Sequence, residues 1–131
     1  MKPIVIGFSG RIGSGKSTIA RAVATKLNCL LASFGDYVRH VARERNILEN
    51  RINLQEIGRE LIEENIEGFC RQVFEWSGWI FGNPLVVDGI RHCEILPVIR
   101  SIVHPLSFYL IYIDIPKKTI NYRLKAKKKW R

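Results

Sequence analysis

A three-layer α/β fold, with a parallel sheet of about four strands and helices on both faces, is predicted by three features of the sequence. Short continuous apolar runs alternate with longer stretches of helical periodicity. A glycine-rich turn joins the first run to the first helical stretch. No internal repeat or low-complexity linker divides the 131 residues, so a single domain spanning 1–131 is expected. Strands separated by helices pair in parallel through right-handed crossovers, which distributes the helices over both sheet faces.

The elements follow in order. Residues 3–8 form a continuous apolar run, as a strand buried on both faces requires. The spacing from Ser17 to Leu27 places Ile19, Ala20, Val23, Ala24 and Leu27 on one helical face. Residues 29–34 read as a second short strand, and Asp36 opens a helix to about Arg45 with Val38, Val41 and Ala42 inward. Asn53 with Glu56 resembles a capping box, followed by Leu54, Ile57, Leu61 and Ile62 at helical spacing. A further helix over about 68–80 turns Phe69, Val73 and Ile80 to one side. There Trp76, Trp79 and Phe81 are expected to pack the helical insertion of about 35–82. Pro84–Asp88 is a third buried strand, opened by proline where no ladder donor is lost. A helix over about 94–103 carries Pro97 in its first turn. Residues 106–113 make the fourth strand, and a proline-started helix runs from 116 to about 129.

Composition narrows the function classes. No apolar run approaches the ~20 residues of a membrane span. The three cysteines, Cys29, Cys70 and Cys93, show no metal-binding spacing, and with His40, His92 and His104 far apart the expectation is a cytoplasmic protein without a disulfide framework or zinc site. The formal charge is +9, and eight cations lie in 117–131 with no acid among them; subtracting those eight leaves +1 for the rest. A basic end of this kind suits a polyphosphate, a membrane surface or nucleic acid.

Gly10-Arg11-Ile12-Gly13-Ser14-Gly15-Lys16-Ser17 fits G-x-x-x-x-G-K-[ST] at every fixed position, between a strand and a helix. The glycines let successive backbone N–H groups turn inward and approach phosphate oxygens. The first helical turn, with Thr18 beside Ser17, adds unpaired donors. The motif assigns residues 10–18 to ATP, Lys16 to the β and γ phosphates and the Ser17 hydroxyl to Mg²⁺. An ammonium about 4 Å from one phosphate charge contributes ~4 kcal/mol at an effective dielectric near 20, against ~0.3–1 kcal/mol for the helix dipole.

Three more segments carry a family resemblance. Val86-Val87-Asp88-Gly89-Ile90-Arg91 resembles the D-G-F-P-R end of the third strand in adenylate kinases, one residue shorter and without the proline. Ser33-Phe34-Gly35-Asp36-Tyr37-Val38-Arg39 is similar to the family's S/T-x-G-D-x-x-R. Asp114-Ile115-Pro116 with Arg123 is similar to the D-x-P…R that leads into the lid. The chain thus resembles P-loop nucleoside monophosphate kinases, with dephospho-coenzyme A kinase close in architecture. The resemblance implies a P-loop fold of strand order 2-3-1-4 and Asp88 beside Ser17 at Mg²⁺. It also implies Arg39 and Arg91 on the acceptor phosphate, and Arg123 on ATP at the start of a lid over about 117–131. By analogy with dephospho-coenzyme A kinase, Asp36 takes the acceptor proton; the residues themselves leave it equally a helix cap. Lys127 stands where adenylate kinases often have a second lid arginine. The family continues into a fifth strand and an adenine-holding loop after the point where this sequence ends. The expectation is therefore a truncated form, or an ATP site completed otherwise.

The expected function is an ATP- and Mg²⁺-dependent kinase acting on a nucleotide-like small molecule, a nucleoside or deoxynucleoside monophosphate. The alternatives are a dephospho-coenzyme A-type kinase, or a P-loop ATPase that binds nucleic acid through 117–131. The latter is less favoured because no nucleic-acid signature or second basic face accompanies the basic end. Acceptor identity and oligomeric state are not readable from the sequence.

Overall fold

A computed structural model describes residues 3–10 and 15–114. Four strands, β1 (Ile4–Gly10), β2 (Leu30–Ser33), β3 (Leu85–Asp88) and β4 (Ser107–Ile113), form one parallel sheet in the order β2-β3-β1-β4. This is the predicted order. The helices are α1 (Lys16–Leu27), α2 (Phe34–Glu44), α3 (Arg51–Trp76) and α4 (Ile95–Val103).

Strand periodicity decides which helix meets which face. Side chains alternate across a strand, so Val5, Leu85, Val87 and Phe108 point one way, into a core with Phe34, Phe69, Val73, Phe74, Ile95 and Ile99 of α2, α3 and α4. Phe8 and Val86 point the other way, against Ala20 and Ala24 of α1. The same parity puts Asp88, two residues after Val86, on the α1 face. The chain leaves β1 over one face and β3 over the other, so the sheet has its topological switch at the carboxyl ends of these two adjacent strands.

Gly7 sits where the sheet meets that larger core. A Cβ there would lie 2.6 Å from Ile90 Cδ1 and 3.0 Å from the Phe108 ring. At the far edge β4 leaves Tyr109, Leu110, Ile111 and Tyr112 exposed.

Several local expectations are corrected. Ile19 and Ile80 are 40% and 69% exposed rather than inward. Ile19 falls outside the narrow contact stripe of Lys16, Ala20 and Ala24. Ile80 lies beyond the helix, which ends at Trp76 with Ser77 as cap and Gly78 at φ 88°. Trp79 packs on Phe74, whereas Trp76 covers Tyr37 and His40 and Phe81 stays largely in solvent. Helix α2 starts at Phe34, not Asp36: Ser33 Oγ accepts from the Asp36 N–H at 3.2 Å, making Ser33 the cap. Likewise Asn50, not Asn53, caps α3 by accepting from the Asn53 N–H at 2.8 Å.

The two helices expected between 53 and 80 form one run with an interruption. Asn65 is extended (φ −166°, ψ 91°), and its Oδ1 accepts from the Gly68 N–H at 2.9 Å. That is a helix cap inside a helix. It restarts the helix so that Phe69, Cys70, Val73 and Phe74 face the core. The helix expected over 116–129 lies outside the described residues.

Candidate phosphate-binding site

Gly10 ends β1, Gly15 adopts the left-handed conformation (φ 86°, ψ 9°), and Lys16 opens α1. Glycine is required at 15, because a side chain is strained at that φ. Ser17 is partly buried and Thr18 exposed on the same first turn. Arg11, Ile12, Gly13 and Ser14 lie outside the described residues.

Lys16 and Asp88 are the buried charged residues of the described core, 7% and 6% exposed. Lys16 Nζ donates to Asp88 Oδ1 at 3.2 Å. The contact follows from the topology: α1 crosses the face to which Asp88 points, and both residues stand at the carboxyl end of the sheet. Two ions taken out of water are costly unless they neutralise each other, as these do.

The turn after β3 is fixed against two neighbours. Gly89 has φ 84°, and a Cβ on it would stand 3.1 Å from the Gly35 backbone nitrogen, so only glycine lets the turn touch the start of α2. Ser9 Oγ donates to the Ile90 carbonyl at 2.7 Å, tying the turn to β1. Arg91 therefore leaves a well-anchored turn next to α2. Its guanidinium is held below the usual arginine range, first by partial burial. Asp88 pulls the other way, and the positive fields of Arg39 and Arg51 add to the lowering. Arg39 itself pairs with Asp36 at 3.0 Å on an exposed surface. The structure thus brings Lys16 to Asp88, Asp36 to Arg39, and Arg39 into the field of Arg91. Arg123 and Lys127 lie outside the described residues. Arg51, in the first turn of α3 behind its Asn50 cap, adds a positive field to Arg91 that sequence reasoning passed over.

His40 stacks on Trp76 with ring centroids 5.2 Å apart, away from the Lys16–Asp88 contact. An open depression of about 470 Å³ lies at the opposite end of α1, lined by Arg21, Ala24, Thr25, Asn28, Cys29 and Leu31. Its lining residues along α1, from Arg21 to the Asn28 cap, lie roughly 8–18 Å along the helix from Lys16.

A strand, a glycine-rich turn with a left-handed glycine before lysine, and an aspartate on the neighbouring strand facing that lysine define a P-loop protein of kinase-like fold. Residues 6–130 match the AAA domain family, and the chain belongs to that family. It is 24% identical over 123 residues to a cytidylate kinase of Clostridium tetani, covering 87% of this chain and 48% of that protein. Among solved structures, one from Chloroflexus aurantiacus superposes with a TM-score of 0.69 at 18% identity, covering 99% of this chain and 68% of that one. The Mycobacterium tuberculosis APS kinase, solved with AMPPNP and APS, gives 0.59 at 22% identity, covering 96% and 73%. The chain spans about half the length of the curated relatives it matches, which include a 30% identical protein of Aeropyrum pernix.

Proposed function

We propose that this chain is an ATP-dependent phosphotransferase acting on a nucleotide-like small molecule, with a nucleoside or deoxynucleoside monophosphate as the acceptor class. The observation that carries the reading is the buried Lys16–Asp88 pair at the switch point of the sheet. An ammonium buried there against one carboxylate is poised to exchange it for a polyphosphate. The exchange frees a hard oxygen ligand beside the Ser17 hydroxyl. That donor set fits Mg²⁺, which takes one or two protein ligands and completes its shell with substrate phosphates and water. Ser17 and Asp88 would hold the ion, and its chemistry there is neutralisation of charge on the transferring group.

The backbone of residues 10–18 cradles ATP and Lys16 reaches its β and γ phosphates. Arg39 and Arg91 hold the acceptor phosphate. An acceptor oxygen attacks the γ-phosphorus in line, the bond to the β–γ bridging oxygen breaks, and ADP leaves with that electron pair. Positioning of the two reactants by these residues is worth ~7–11 kcal/mol of barrier in well-oriented systems. Asp36, paired with Arg39, orients that arginine; a monophosphate acceptor is already ionised and needs no base. Residues 35–82 form the acceptor-binding part of the domain, and Arg123, outside the described residues, is assigned to ATP. The likeness to a cytidylate kinase supports a nucleotide acceptor.

The test is ADP formation with ATP and Mg²⁺ against a panel of ribo- and deoxynucleoside monophosphates and dephospho-coenzyme A. One monophosphate should raise turnover well above the ATP-only background, and Lys16→Ala should remove the stimulation. Stimulation by dephospho-coenzyme A alone would move the acceptor class, and no stimulation by any member would overturn the reading.

A further inference from the structure

Strands β1 and β3 separate at their carboxyl ends. Their parallel register runs Val5–Leu85, Ile6–Val86 and Gly7–Val87 and stops there, while β1 stays paired with β4 as far as Gly10 and Ile113. Gly89, at φ 84°, turns the other chain out of the sheet towards α2. The phosphate turn thus stands on one side of the switch point and residues 89–91 on the other. Among the described residues, two side-chain hydrogen bonds span this gap: Lys16 Nζ to Asp88 Oδ1 at 3.2 Å, and Ser9 Oγ to the Ile90 carbonyl at 2.7 Å. A polyphosphate that takes the ammonium displaces the first bond. The second is independent of that exchange.

Ser9 acts where a small shift matters. It carries the one polar side chain of β1, and the Ile90 carbonyl that it serves accepts from no backbone N–H among the described residues. Without the hydroxyl this partly buried acceptor would go unpaired, which is unfavourable. The carbonyl belongs to the planar peptide that joins Ile90 to Arg91, so its direction sets the plane from which the Arg91 side chain departs. The Ile90 side chain is fixed as well, buried in the larger core over the space that Gly7 leaves open. Residue 90 is therefore held at both its side chain and its carbonyl, and Arg91 follows directly.

We propose that Ser9 is a positioning residue for phosphoryl transfer: through the Ile90–Arg91 peptide it keeps the acceptor arginine at a set distance from the phosphate turn, and it still does so once Lys16 has left Asp88 for the nucleotide. This rests on the phosphotransferase reading above, with Arg91 on the acceptor phosphate. Ser9 itself touches neither substrate. A misplacement of about 1 Å can cost about 100-fold in rate, so one hydroxyl suffices.

The experiment compares wild type with Ser9→Ala, Ser9→Cys and Ser9→Thr in steady-state turnover of the stimulating monophosphate with ATP and Mg²⁺, below the Tm of each variant. ATP binding is measured separately by calorimetry. Ser9→Ala should lower kcat/KM for the monophosphate by about 10- to 100-fold, with the Kd for ATP changed less than about twofold. Ser9→Thr keeps the hydroxyl and should restore most of the loss. Ser9→Cys, a weak donor of similar size, should not, and it replaces the alanine variant should that one fail to fold. In an Arg91→Gln background, Ser9→Ala should add less than about threefold, because the group it positions is gone. If Ser9→Ala and Ser9→Cys turn over the monophosphate as wild type does, the inference falls while the kinase reading stands. A parallel loss of ATP affinity, failure of threonine to rescue, or an undiminished further loss beside Arg91→Gln also overturns it. If no monophosphate stimulates wild type, both fall.

Discussion

Replacing Asp88 by leucine strands the Lys16 ammonium in a site where both side chains are 9% exposed. The gross attraction across the 3.2 Å contact is about 5 kcal/mol at an effective dielectric near 20. Most of it is offset by the cost of drying two ions, so the pair as a whole contributes little net stability. Removing one partner, however, leaves an uncompensated charge, which typically costs about 3–5 kcal/mol. For a domain of this length that corresponds to a Tm lower by roughly 10 °C or more. Lys16→Met should cost less than Asp88→Leu, because the remaining carboxylate still feels Arg91. The double variant, apolar on both sides, should be more stable than either single one. Urea unfolding of all four proteins without nucleotide gives the coupling energy. We expect about 3 kcal/mol; a value below about 0.5 kcal/mol would refute the claim that the pair is desolvated and mutually dependent.

Three other outcomes are expected. The Cys70 thiol is pushed up from its ordinary 9.0 to about 12 by burial, with Glu67 adding to the effect. Between those values the unfolded chain has lost the proton that the native state keeps, so stability falls as pH rises, with a slope approaching about 1.4 kcal/mol per pH unit that Cys70→Ala should remove in urea titrations at pH 9–10.5. Gly7→Ala forces a methyl against Ile90 and Phe108 and should cost about 1–3 kcal/mol in chemical denaturation. Asn65→Ala removes the carboxamide that accepts from the Gly68 N–H and should cost about 0.5–2 kcal/mol, measurable by thermal unfolding.

The sheet was legible because its signals are local and redundant. Each strand is an apolar run bounded by turn residues, and the glycine-rich turn fixes where β1 gives way to α1. The facing of Asp88 and Lys16 also follows from strand parity once the order is set. The helix starts were harder, because capping depends on which of several candidate residues is extended. Asp36 and Asn53 are plausible caps by type, yet Ser33 and Asn50, three positions earlier, hold the bonds. The restart after Asn65 was partly legible, since a new helix was expected from about 68, but the cap three residues earlier leaves no mark in the apolar pattern. The field of Arg51 on Arg91 was unreadable for a related reason, since it arises between residues 40 positions apart in the chain.

The restart at Asn65 bears on how the region tolerates change in length. In an unbroken helix, one inserted residue swings everything downstream by about 100°, enough to turn a buried face outward. Here the second half takes its phase from its own cap, so a residue added or lost between Arg51 and Glu64 need not rotate Phe69, Val73 and Phe74. Segments that shape a ligand's surroundings can then drift in length among homologues while the scaffold beneath them keeps its orientation.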